Sequence, residues 1–270
     1  MQLFDSHAHL DVTAFDADRT EVLARAREAG VTDIVLVAAP RNLQELVRPL
    51  ELARTDPRLY ATVGVHPHDC ALMDESWWGE LDRLAGDDKI VAIGETGLDY
   101  YYDYSPHEVQ RRSFAGQIEL AKRVGKPVVC HVRDPAEAGP SAHQDSHRLL
   151  DQGGIGRPGA PSGVIHCFTG GPAEAAGYVE LGLYISFSGI ITFKSAEAIR
   201  QAVREVPADR LLIETDCPFL SPIPKRGKRN EPANLVHTAK AVAEAAGMAL
   251  DELADATSAN ARALFSLTGA

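Results

Sequence analysis

Apolar residues along this chain follow two alternating periods. Short runs rich in Val, Ile and Leu, bounded by Gly, Pro, Asp or Asn, predict strands at 3–7, 33–38, 59–65, 89–94, 127–131, 163–166, 183–188 and 210–215. Between them, apolar residues spaced three and four apart predict amphipathic helices at 19–29, 43–54, 75–85, 108–124, 173–181 and 196–206. Strands alternating with helices in this way predict a parallel α/β barrel, the TIM (β/α)8 architecture, and 270 residues fit one such domain spanning 1–270. The Gly- and Pro-rich stretch 152–163 reads as a surface loop. Trp77 and Trp78, on a predicted helix, read as core and helix-packing residues.

Catalytic groups of such a barrel gather at the C-terminal ends of its strands. His7 and His9 stand at i and i+2 near the end of the first strand, on one face, where they can grip one cation. The fourth, fifth, sixth and eighth strands run into Glu95, His131, His166 and Asp216. A lone His131 would read as a satisfied structural histidine, whereas six ligand-type residues at strand ends read as a metal site.

Cys130, Cys167 and Cys217 each adjoin one of these residues, and alternation turns them to the opposite face, beneath the helices. With Cys70 they make four cysteines and no CxxC pair; together with a start directly in a ligand-bearing strand, this predicts a reduced, cytoplasmic protein. No apolar stretch approaches the roughly 18 residues of a membrane span. A net charge of −11 gives no bulk attraction to nucleic acid or anionic membrane, so contact with a polyanion needs a local basic patch. A barrel of this size buries its core without a partner, and a monomer is expected.

Seven stretches carry a resemblance that covers nearly the whole chain: Asp5-Ser6-His7-Ala8-His9-Leu10-Asp11, Gly64-Val65-His66-Pro67-His68, Ile93-Gly94-Glu95-Thr96-Gly97-Leu98-Asp99, Val129-Cys130-His131-Val132-Arg133, His166-Cys167-Phe168-Thr169-Gly170, Glu214-Thr215-Asp216-Cys217-Pro218 and Lys228-Arg229-Asn230-Glu231-Pro232. In their order and number they resemble the TatD-like metal-dependent deoxyribonucleases. The resemblance implies a TIM barrel, a divalent-metal site and phosphodiester hydrolysis, typically cleavage of DNA from its 3′ end. The chain departs from that pattern between Arg133 and Leu149, where a Gly- and Pro-interrupted loop puts substrate access or length preference in doubt; His143 and His147 read there as loop or helix-start residues.

The local chemistry agrees with two divalent ions, magnesium, manganese or zinc, since a carboxylate such as Glu95 can bridge two cations. The expected set is His7, His9 and Asp216 on one ion, His131 and His166 on the other, and Glu95 on both. Asp216 would also accept the proton of the attacking water. Glu214, two residues earlier, reads either as a partner behind the ligands or site for a further cation, or as a buried carboxylate paired with a cation. His66 is assigned to a phosphate oxygen or the leaving group; His68 could share that role or orient a loop. Asp5 and Asp11 read as orienting groups for the histidine pair.

The loop 224–230 carries Lys225, Arg226, Lys228 and Arg229 and is expected to clamp phosphates over the barrel mouth. Tyr100, Tyr101, Tyr102 and Tyr104 follow Glu95; one or two of them could stack on bases while the others wall the mouth. Tyr101 and Arg133 join the candidate substrate contacts, and single-stranded DNA is the expected substrate. Two other classes stay open. One is a hydrolase of an ester or amide, such as aminoacyl-tRNA, although the bridging lysine common in such barrels is absent where Glu95 stands. The other is a non-catalytic metal-binding barrel.

Overall fold

The computed structural model describes residues 1–102 and 104–267. Eight parallel strands follow one another around a single sheet: β1 (Leu3–Ala8), β2 (Val31–Leu36), β3 (Leu59–Val63), β4 (Ile90–Asp99), β5 (Val128–Arg133), β6 (Gly163–Ile165), β7 (Tyr184–Phe187) and β8 (Leu211–Ile213). Past the end of β8, Asp216 N donates to His7 O (2.9 Å) and His9 N to Cys217 O (2.8 Å), lacing the exit of β8 to β1. This is the TIM barrel expected from the alternation of strands and helices.

Period-2 alternation sorts the strand residues into two clusters. Ile34, Leu36, Ile93, Val128, Ile165 and Ile213 belong to the large one, which also holds the apolar residues of the surrounding helices. Val35, Val91, Val129, Val164 and Leu212 point the other way, into the barrel, where Leu264 and Phe265 at the end of the last helix pack against them. Trp77 is buried, and Trp78 packs on the core.

The helices are α1 (Arg19–Glu28), α2 (Arg48–Ala53), α3 (Glu75–Ala85), α4 (His107–Val124), α5 (Ala142–Gly153), α6 (Pro172–Glu180), α7 (Glu197–Glu205), α8 (Leu235–Ala246) and α9 (Leu250–Leu264). Three differences from the sequence reading have physical causes. The expected helix 43–54 is a 3-10 turn, Leu43–Val47, followed by the short α2, because Pro49 is tolerated only in a first turn. The stretch read as loop after Arg133 is loop only as far as Ser141, whose hydroxyl accepts from Gln144 N and starts α5, with His143 at the helix start. The unforeseen α8 and α9 are Ala-rich: Ala239, Ala243, Ala254 and Ala261 are buried, and alanine gives little contrast between a helix's faces.

β4 differs most usefully. Its expected end was residue 94, yet it runs to Asp99 and is buried throughout. A register irregularity between Ile93 and Thr96 precedes renewed pairing with β5, Gly97 opposite His131 and Asp99 opposite Arg133. Such irregularities re-aim side chains. No helix among the described residues is long and apolar enough to cross a membrane.

Candidate metal centre

Six donors converge where the strands end, and Glu95 stands in the middle of them. Its Oε2 faces His7 Nε2 (3.5 Å) and His9 Nε2 (3.7 Å), while its Oε1 faces His131 Nδ1 (3.1 Å) and His166 Nε2 (2.7 Å). Asp216 Oδ1 lies across from the first pair, 3.6 Å from His7 Nε2 and 3.4 Å from His9 Nε2. The backbone of Asp216 holds a left-handed conformation, φ 54°. The two Nε2 atoms of His7 and His9 are 3.2 Å apart.

Four of these separations, 3.5, 3.1, 3.4 and 3.2 Å, are those of atoms that share a cation, and the others lie a few tenths of an ångström outside. Ligand atoms about 2.1 Å from one ion lie about 3.0–3.5 Å from each other. The outer nitrogens decide the matter further, because a ligating imidazole gives its other N–H to an acceptor. His9 Nδ1 donates to Val37 O (2.9 Å), His131 Nε2 to Asp99 Oδ2 (2.9 Å) and His166 Nδ1 to Glu214 Oε1 (3.2 Å). Three rings are thereby held with their second nitrogen turned toward Glu95, where a cation would take the place of a proton. His7 Nδ1 and Glu214 Oε2 are buried without a hydrogen-bond partner among the described residues.

The charges follow from burial and proximity. Burial opposes ionisation of Glu95, but the imidazoles of His166, His66 and His131 outweigh it and hold the carboxyl well below its usual range. Burial likewise opposes a charged His9, yet the hydrogen bond to Asp216 and the charge of Glu95 push it up to about 9. His66 goes the other way, to about 4, because burial penalises its cation.

A sequence profile described as TatD related DNase matches residues 4–266. The chain belongs to that family. A protein of Bacillus subtilis named "Uncharacterized metal-dependent hydrolase YabD" is 41% identical over 263 residues, covering 97% of this chain and 98% of that one. The "3'-5' ssDNA/RNA exonuclease TatD" of Salmonella typhimurium is 37% identical over 268 residues, covering 97% and 98%. The crystal structure of YJJV, a TatD homologue from Escherichia coli, superposes with a TM-score of 0.89 at 30% identity, covering 98% of each chain. The hydrolase class expected from the sequence stands with this membership in the TatD family.

His66 joins the TatD-family centre from the loop after β3. His68 N donates to His66 Nδ1 (3.1 Å), so the neutral ring carries its proton on Nε2, 3.3 Å from Glu95 Oε1. His66 thus presents an N–H donor. His68 Nε2 donates to Asp99 Oδ2 (2.9 Å), the orienting alternative of its two readings. Asp99 is the residue that sequence reasoning missed as a site member. It is fully buried, accepts from Tyr101 N (2.9 Å) and Tyr102 N (3.0 Å) through Oδ1, and holds both histidines through Oδ2. Asp99 closes the stretch Ile93–Asp99 and lies five residues beyond the strand end that periodicity predicts.

Several expected placements change. Asp5 accepts from Thr215 N (2.9 Å), Thr215 Oγ1 (2.6 Å) and His7 N (3.4 Å), bracing β1 against the exit of β8 and holding the backbone of the histidine pair. Asp11 Oδ1 has no hydrogen-bond partner among the described residues, and Asp11 acts on His9 through its charge. Glu214 is the partner behind His166, and its Oε1 also accepts from Cys167 N (2.7 Å). Cys130 and Cys217 are buried as expected, but Cys167 is only half-buried, because at φ 44° it has left the strand alternation, with Sγ 3.2 Å from Ser188 Oγ. Arg229 is turned away: its guanidinium donates to Asp18 (2.9 and 2.6 Å) and lies over Phe15 (4.5 Å), tying the loop to the start of α1. Lys225, Arg226 and Lys228 are exposed, and Arg226 lies over Phe193 (4.2 Å). Arg133 lies over Tyr101 (3.9 Å) and Tyr102 (5.0 Å).

Proposed function

We propose that this protein is a two-metal phosphodiesterase acting as a 3′–5′ exonuclease on single-stranded DNA. The observation that carries the reading is Glu95, with one carboxylate oxygen turned to each histidine pair. His7, His9 and Asp216 would hold one divalent ion, His131 and His166 the other, and Glu95 both. Two such ions, magnesium or manganese with zinc as a further candidate, would stabilise the attacking and leaving oxygens and lower the pKa of water toward about 7.

The chain's own residues supply the rest. Asp216 is placed beside the first histidine pair to accept the proton of the attacking water. His66 donates its Nε2–H to a phosphate oxygen or to the departing oxygen. Glu214 and Asp99 fix the tautomers of His166 and His131. Lys225, Arg226 and Lys228 attract the substrate backbone, which the acidic chain as a whole would repel. The name of the Salmonella relative, which includes both single-stranded DNA and RNA, supports a single-stranded substrate. The enzyme acts as a monomer in the cytoplasm, in keeping with its self-contained core and four free cysteines.

Metal-stripped protein incubated with 5′-labelled single-stranded DNA, with and without added magnesium or manganese, tests the reading. A ladder of shortened products that needs the metal supports it, and an intact band with every metal refutes it.

A further inference from the structure

We propose that the barrel mouth binds a single strand in one direction: the base of the 3′-terminal nucleoside lies on Tyr102 and Tyr104, and the 5′ part of the strand leaves across the centre over Lys225, Arg226 and Lys228. This rests on the nuclease reading and gives it a polarity.

The strand order sets β4 diametrically across the barrel from β8. The loop after β4 carries the tyrosines, and the loop after β8 carries the cations; the metal centre lies between. On the β4 side, the four tyrosines differ in what they meet. Tyr100 is buried, donates its hydroxyl to Asp145 (2.7 Å) and stacks on His107 at 3.8 Å. Tyr101, 43% exposed, has the Arg133 guanidinium on it at 3.9 Å, and the same guanidinium reaches Tyr102 at 5.0 Å. Tyr102 and Tyr104, 37% and 67% exposed, stack on each other, their planes within 17° and their centroids 5.3 Å apart. Both meet the ring of His68, which Asp99 ties to the metal-facing His131. The stacked pair stands one histidine away from the reacting centre, with Tyr104 the more exposed ring to extend the stack, and an aromatic face accepts any base.

The opposite side differs in chemistry. Lys225, Arg226 and Lys228 are exposed there and make no ion pair among the described residues. A 3′-terminal nucleoside brings no phosphate beyond the scissile one, whereas the strand running 5′ brings one phosphate per nucleotide. Repeated charge belongs on the cationic side, and a lone base belongs on the aromatic side.

The test compares wild type, the double variant Tyr102→Ala/Tyr104→Ala and the double variant Lys225→Ala/Arg226→Ala on a dinucleotide with one phosphodiester and on a long single strand, at saturating metal. Metal stoichiometry is measured on each variant to show that the centre is intact. The tyrosine variant is expected to lose on the order of tenfold in kcat/KM on both substrates alike, the scale of one stacked base. It should also cleave a strand whose 3′-terminal sugar lacks a base as well as wild type does. The cation variant is expected to lose more on the long strand than on the dinucleotide, with a flatter salt dependence. The reverse split, or tyrosine variants with undiminished cleavage, overturns the polarity while leaving the nuclease reading in place. Wild-type protein that cleaves neither substrate overturns both.

Discussion

Asp99 Oδ2 stands 2.9 Å from His131 Nε2 and 2.9 Å from His68 Nε2, so one carboxylate oxygen holds both rings. Burial opposes its ionisation, but the two histidines outweigh burial and keep Asp99 charged well below the usual carboxylate range. Asp99→Asn keeps the shape and removes the charge. The expected outcome is about 10–100-fold weaker binding of one cation, read by calorimetric titration, with cleavage restored by excess metal. Unchanged affinity would show that Asp99 only braces the loop.

With His9 as a ligand of the proposed centre, cations and protons would compete for it. Its folded pKa of about 9 lies above the ordinary 6.5, so in metal-free protein the His9–Asp216 contact stabilises fully below about 6.5 and is lost as pH rises through 9. Metal must displace that proton, and affinity is expected to climb with pH across the same window. Asp216→Asn should move the climb to lower pH as well as weaken binding. A titration series from acid to alkaline pH checks the sign, and affinity independent of pH would contradict it.

Gly97 sits opposite His131 at φ +130°, and a Cβ there would lie 2.0 Å from His131 O. Gly97→Ala must push β4 and β5 apart beside His131, a ligand of the proposed centre. The expected loss is at least about 2 kcal/mol of stability, or roughly 4–8 °C in Tm for a chain of this size, together with weaker metal binding. Thermal unfolding with unchanged Tm would show that the strands yield freely.

The barrel and its six central donors were legible because they obey two simple rules, strand periodicity and placement at strand ends. Asp99 was not, since polar Glu95, Thr96 and Asp99 read as loop, whereas their burial and renewed pairing with β5 make them strand. The acceptor behind His9 is a backbone carbonyl, Val37 O, which side-chain identity cannot reveal. Arg229 shows the converse: its charge was plain in the sequence, but only three-dimensional packing shows it engaged by Asp18 instead of facing the mouth.

Arg229→Ala is therefore expected to leave binding of long single strands within about twofold of wild type, as a partly exposed pair contributes little. The cost should fall on the order of the loop, visible as faster protease cleavage near 224–230. A loss of strand affinity comparable to that of the Lys225→Ala/Arg226→Ala variant would put Arg229 back over the substrate.

The most direct measurement counts metal and cleavage in the same samples. Stripped wild type and Glu95→Ala are titrated with manganese, the bound equivalents determined after desalting, and each fraction assayed on 5′-labelled single-stranded DNA. Two equivalents per wild-type chain with a ladder of shortened products, against fewer equivalents and an intact strand for Glu95→Ala, is the expected result. Two equivalents and an unimpaired ladder in Glu95→Ala would contradict the role of Glu95 as the carboxylate shared by both ions.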